Sequence, residues 1–370
     1  MRSINTLRTL FAIAAVASLT ACGGGSGDTS TSPTPAPTPA PTPAAPAPNV
    51  ASTAGNLVTS ATPDTYASGS MSDQAYAALN AARLAAGTGV LDQSTQLDVA
   101  ASAHAAYLTA LATQTLTSEQ ASELPNLHTE AADVLPNLFY GAQPQDRAVK
   151  SGAISTNGWS SEGIAGAANI VNGQLTADGK ICVAGLLDTV YHADVALSPA
   201  TLVSIAQTTD GLGAPGCVVD YARPDGYGQV MPSGGSVVNP AANAHMPGSF
   251  SIASESPRPA ASLITTSTAG TPVLFNARNA DWINLESQGT LAPVVNSFTL
   301  TASDGTVVDA VVLAAAGYTG AGIYADSQLL EGTLVLVPIA ALPAGGYTAS
   351  ASVTLKTGTT LTKTWSFTAD

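Results

Sequence analysis

Residues 75–108 read AYAALNAARLAAGTGVLDQSTQLDVAASAHAAYL. Tyr76, Leu79, Arg83 and Ala86 recur at helical spacing, and Gly87 and Gly89 stop the pattern. Ser72, with Asp73 in the first turn, marks the helix start. Asp92 or Ser94 caps a second helix. Its apolar stripe runs through Leu97, Ala101, His104 or Ala105, Leu108 and Leu111. His104 reads as a packing histidine of that stripe.

Downstream, Thr117 and Ser118 open a short helix with Glu119, and Asp146 to Val149 form another. Pro125, Pro136 and Pro144 break anything longer between them. Leu202–Ala206 and Gly216–Ala222 read as strands. Before them comes CVAGLLDTVYHADVAL, residues 182–197, with a single histidine, His192, between two apolar steps. Taken alone, such a histidine is a structural residue. From 229 to 260, Gly, Pro, Ser and Asn are frequent, the composition of a linker. It holds His245, to which no role is assigned. The last 110 residues, 261–370, alternate short strand-like runs such as NSFTLTA (296–302) and LTKTWSFTA (361–369) with turns. Turns are expected at Asp304-Gly305, Gly345-Gly346 and Thr357-Gly358. This spacing points to a β-sandwich, with Trp365 and Phe367 in its core.

The 370 residues suffice for two domains of ordinary size. Eleven Lys and Arg stand against 25 Asp and Glu, a net charge of −14. So acidic a chain repels phosphate backbones, which excludes nucleic acid as a partner. Arg2 and Arg8 precede the apolar run LFAIAAVASL, residues 10–19, which is too short to span a bilayer. Leu19-Thr20-Ala21-Cys22 follows, resembling the bacterial lipobox. Residues 1–21 are therefore expected to be a cleaved leader, with Cys22 lipidated and supplying a membrane anchor. Gly23 at the next position permits the outer membrane, by analogy with Gram-negative sorting. Residues 22–50 read as a tether, flexible GGGSG and then PTPAPTPAPTPAAPAP (33–48), which favours extended polyproline II. The remaining cysteines, Cys182 and Cys217, suggest one disulfide in an exported compartment, worth about 3–4 kcal/mol. Two buried free thiols are the alternative.

Four spaced features form a recognisable order: the 75–108 stretch, Leu127-His128-Thr129-Glu130 with Arg147 and Gly152 downstream, Ser161-Glu162-Gly163-Ile164-Ala165, and residues 186–197 ahead of Gly211-Leu212-Gly213. This order resembles the CAP superfamily (cysteine-rich secretory proteins, antigen 5 and plant pathogenesis-related proteins), in its bacterial SCP-like branch. Asn80 and Arg83 stand at the family's Asn-x-x-Arg; Leu97, Ala101, His104 and Ala105 stand at L-x-x-x-A-x-x-H-A. The chain departs from the family at Gly163, where Asn is usual, at Ala193, where Arg is usual, and at Leu186, where Trp is frequent. A second glutamate of the family has no clear counterpart, Asp188 being the nearest acid.

The resemblance implies a CAP-type α–β–α sandwich, placed over 51–228; with the linker over 229–260 and an all-β sandwich over 261–370, which by composition resembles the immunoglobulin-like modules of exported bacterial proteins, the expected architecture is α+β. The resemblance also implies a cleft of two histidines and glutamate, carried here by His128, Glu162 and His192. Two imidazoles and a carboxylate from separate elements are candidate ligands for Zn²⁺ or another divalent ion. Without metal, a Glu beside a His can shuttle protons. Glu130 reads as a solvated acid, with a spare-ligand role as the alternative. Arg147 reads as a carboxylate clamp or a ligand contact. Three functions follow. The first is a non-catalytic cleft on the cell envelope that binds a lipid-like molecule, a wall component or a protein. The second is a metal-dependent hydrolase of peptide or wall bonds, with Glu162 as base. The third is adhesion through the β-sandwich. The chain carries no G-x-S-x-G, H-E-x-x-H or catalytic-cysteine pattern, which weighs against an enzyme.

Overall fold

A computed structural model of the chain describes residues 53–224, 226, 228–286 and 292–370. The leader, Cys22 and the tether lie outside the described residues. Helix α1, Met71–Ala86, starts one half-turn earlier than expected. Its N-cap is Ser70, whose side chain accepts from the Asp73 amide, rather than Ser72. Gly87 closes it with φ of 93°, the left-handed cap that glycine adopts without a Cβ penalty. Strand β1 (Asp92–Gln93) leads to α2 (Thr95–Leu111), capped by Ser94. Then come α3 (Ser118–Ser122), capped by Thr117, and α4 (Pro144–Lys150), with proline in its first turn.

Strand β2 (Trp159–Gly166) and the hairpin β3 (Ala168–Val171) and β4 (Gln174–Ala177) precede α5 (Gly179–Leu187) and α6 (Tyr191–Ala196). Strands β5 (Leu202–Thr209) and β6 (Pro215–Arg223) complete a sheet of order β1-β5-β6-β2. Only its β1–β5 pair is parallel. Alternation along the strands sends Val203, Ile205, Cys217, Val219 and Tyr221 to a core shared with α1 and α5. Ala206, Val218 and Ala222 face α2 from the opposite side. Helices thus cover both faces. The disulfide forms, Cys182 to Cys217, and ties α5 to β6.

Two buried side chains lock this layer. Asn80 brackets Leu91, accepting from its amide and donating to its carbonyl. Arg83, fully buried, donates to the carbonyls of Gly89, Ala196 and Ser198. The latter two lie at the end of α6.

The stretch 229–260, expected as a linker, is woven into the C-terminal β-rich region. It supplies β7 (Val237–Asn239), β8 (His245–Met246) and β9 (Ser249–Phe250). After β10 (Ala269–Gly270) and β11 (Val273–Asn276), helix α7 (Ala280–Glu286) leads to β12 (Val294–Ala302), β13 (Ala310–Ala314), β14 (Ile323–Ala325), β15 (Thr333–Pro338), β16 (Gly345–Thr354) and β17 (Thr360–Ala369). The sheets run β14-β13-β15-β11-β7 and β12-β16-β17-β8. One core joins them, with Phe275 of the first against Phe298 and Trp365 of the second. Asp304-Gly305 and Thr357-Gly358 make turns, with Gly305 and Gly358 at positive φ, whereas Gly345-Gly346 opens β16. His245 is exposed and pairs with Asp370 at 3.1 Å.

The architecture is α+β. Val190, Ala193 and Leu197 of the α6 region pack into the β-rich core, so α6 is shared by both regions. A loop of 35 residues closed by the disulfide removes unfolded-state entropy worth about 3–4 kcal/mol. The Cys182→Ala, Cys217→Ala double variant should lose about that much in denaturant-induced unfolding, whereas an unchanged midpoint and slope would remove the bridge from the list of stabilising contacts.

Candidate functional site

Arg147 of α4 is fully buried. Its Nη2 donates to Glu162 Oε2 at 2.8 Å, and its Nη1 donates to the His128 and Gly141 carbonyls. A Cβ at Gly141 would stand only 3.1 Å from Arg147 Cγ, so the loop passes close against the arginine stem. The same Nη1 lies 3.9 Å from Glu130. Arg147 is thus the carboxylate clamp of the two roles expected for it.

Glu162, on β2, is 4% exposed. Its Oε1 meets His128 Nδ1 at 2.9 Å and His104 Nε2 at 3.4 Å. Burial alone would raise its pKa. His104, the hydrogen bond from His128 and the Arg147 guanidinium outweigh burial and hold the carboxylate at about 2. Across the ladder stands Asp220. Burial, then the neighbouring Glu162 charge, pushes it well above the usual carboxylate range.

Glu130 is a correction. It is 2% exposed rather than solvated. Oε1 meets His104 Nδ1 at 3.0 Å, and Oε2 accepts from the Tyr140 and Gly141 amides. It pins the loop that carries His128. A buried carboxylate needs such partners, and here two backbone amides and an imidazole provide them. His104 lies in the core beside Tyr107, as its stripe position predicts. It is also part of the polar network, which the stripe did not reveal.

His192 sits on α6, its ring 5.9 Å from that of His128. The Thr189 hydroxyl donates to the Leu186 carbonyl, so its oxygen accepts from His192 Nδ1 at 3.1 Å. These hydrogen bonds assign the proton to Nδ1. Burial, then His128, lowers the His192 pKa to about 4, with Glu162 acting in the opposite sense. Leu186 is fully buried, and its tip would lie 2.8 Å from a Cβ at position 163. The small residue at 163 and the aliphatic at 186 therefore fit one another.

The structure brings His128, Glu162 and His192 to one cleft of about 380 Å³. Asp188 does not line it. The acid beside His192 is Glu255, 4.0 Å from Nδ1, from the stretch expected as a linker. Glu255 accepts from the Val190 and Tyr191 amides at the start of α6. Burial raises its pKa to about 7, against those hydrogen bonds. Composition hid this residue, a single acid between Ser254 and Ser256. A larger groove of about 840 Å³ runs along α2 and β5, and in it Asp98 accepts from Tyr66 and Gln93.

No family model matches the chain, and no curated protein matches it. Among solved structures it is similar to PcoC, described as a methionine-rich copper resistance protein from Escherichia coli, in two crystal structures, one of the selenomethionine form. Both are 14% identical, with TM-scores of 0.20 and 0.21; 36% of this chain is covered in each, against 95% and 93% of PcoC. Likeness at that level carries no argument about the cleft.

Glu162 is not free to join the two histidines as a third ligand for an ion. Both Glu162 oxygens are taken by Arg147 and the histidines. Among the described residues, no three His, Cys, Asp or Glu side chains are grouped to hold an ion. What remains is a cleft with two imidazoles at its wall. His192 should stay neutral down to about pH 4. In an NMR titration of the histidine rings, a His192 midpoint near 4 is expected, and a midpoint near the ordinary 6.5 would contradict the buried, Thr189-bonded geometry.

Proposed function

We propose that this chain is a lipid-anchored CAP-type protein of the bacterial cell envelope, of the SCP-like branch, whose cleft binds a polar ligand without transforming it. On this reading, helices on both faces of the four-stranded sheet form the α–β–α sandwich, the β-rich region is an immunoglobulin-like sandwich, and Cys22 carries the anchor. The observation that supports a binding role is the state of Glu162. A carboxylate at about pKa 2, with both oxygens engaged, is a poor proton acceptor for a reaction at neutral pH. Its charge instead fixes His128, and His128 with His192 forms the recognition wall. The reading as a hydrolase needs Glu162 as base, and Glu162 is committed to Arg147 and His128.

The lining is polar, with Asn126, Gln143, Ser161 and Tyr191 beside the two histidines and only Val195, Pro144 and Pro257 as aliphatic residues. That favours a wall component over a lipid. The test is co-sedimentation with purified peptidoglycan sacculi. The protein should pellet with them, in EDTA as in buffer, and release no soluble fragments. The His128→Ala, His192→Ala double variant should lose about tenfold in affinity. Release of fragments, or binding that requires a divalent ion, would overturn this reading in favour of hydrolysis.

A further inference from the structure

Part of the cleft wall comes from outside the helix–sheet layer. Glu255, Ser256 and Pro257, from the stretch before β10, and Gln328, between β14 and β15, line the same cleft as His128 and Glu162. Their placement is enforced. Glu255 holds the first amides of α6; Tyr191 of α6 donates to Asp326, two residues before Gln328, at 2.8 Å. Asp194, also of α6, accepts from the Leu330 amide and the Thr333 hydroxyl. Five hydrogen bonds thus fix the 326–333 segment and Glu255 against the helix that carries His192. Ser256 and Gln328 themselves are exposed, and no hydrogen bond engages their side chains among the described residues.

The lining also limits the ligand. It contains no Lys or Arg, and the chain is strongly acidic, which disfavours a polyanion. Valine and prolines are its only aliphatic residues, which disfavours an acyl chain. Strand β2 is a sheet edge, where an extended peptide could add. Gln145 blocks it there, accepting from the Ser160 amide and donating to the Gly158 carbonyl. Side-chain amides, hydroxyls and flat rings remain, the set that meets sugar hydroxyls and acetamido groups.

We infer that the cleft is a composite site for a neutral, N-acetylated oligosaccharide, with Ser256 and Gln328 of the C-terminal part as specificity-determining residues. This rests on the binding reading above and names its ligand class and its second wall. The β-rich region is then part of the site rather than an appendage to it.

The full-length protein in detergent, titrated with triacetylchitotriose and followed by saturation-transfer and histidine-ring NMR, tests this. Binding at about 1 mM or tighter should move the His128 and His192 signals. Gln328→Ala and Ser256→Ala should each weaken it about five- to tenfold, as loss of one hydrogen bond does, with the melting temperature unchanged. If the trisaccharide binds and His128→Ala weakens it while both wall variants bind like the parent, the composite wall is overturned and the cleft reading stands. If trialanine or a heparin hexasaccharide binds in its place, the ligand class is overturned. If none of the three binds, the cleft reading falls together with this one.

Discussion

The buried contact between Arg147 and Glu162 is the constraint around which the cleft is organised. A guanidinium and a carboxylate removed from water lose hydration worth several kcal/mol each, and only close, multiple hydrogen bonds return it. Here the two terminal nitrogens of the arginine donate to Glu162 and to two carbonyls of the 128–141 loop, while Glu162 turns its other oxygen to His128. Removing any one member leaves a charge with no solvent to relax into. The pair therefore does two jobs. It joins α4 to β2, and it presets the His128 ring before any ligand arrives. Glu130 extends the same logic to the loop, tying His104 on α2 to the Tyr140 and Gly141 amides.

His192 is held by a different device. Its short helix is gripped from below by Arg83, which takes carbonyls at the C-terminal end, and from the other region by Glu255 and the 326–333 segment. Six residues of helix have little stability of their own. The packing of Val190, Ala193 and Leu197 into the β-rich core supplies what the helix lacks. Cleft geometry thus depends on contact between the two regions. Asp194 adds a pH-linked element, since burial raises its pKa to about 7. A carboxyl bound more tightly to its proton in the folded state stabilises below the unfolded carboxylate range and loses that contribution as pH rises through 7.

The helices α1 and α2, the β5–β6 pair and the C-terminal strands were legible because each carries a period or a cap strong enough to be read locally. His128, Glu162 and His192 were legible as a set only through the family resemblance that their motifs carry. Glu130 and Glu255 were not. Each owes its place to backbone amides brought near by the fold, and no one-dimensional pattern encodes an amide presented by a distant loop. The stretch 229–260 looked like a linker because its strands are two or three residues long, below the length at which alternation is visible. The Ser70 cap was displaced to Ser72 for a similar reason: two serines two residues apart both precede an acid and a helical run.

The central claim is that Arg147 and Glu162 act as one buried unit. A double-mutant cycle with Arg147→Met and Glu162→Gln, read by denaturant unfolding at pH 7, measures that directly. Each single variant should be strongly destabilised, and the double variant should be less damaged than their sum by about 2 kcal/mol or more. Additive losses would contradict the account, because the two side chains would then be contributing independently.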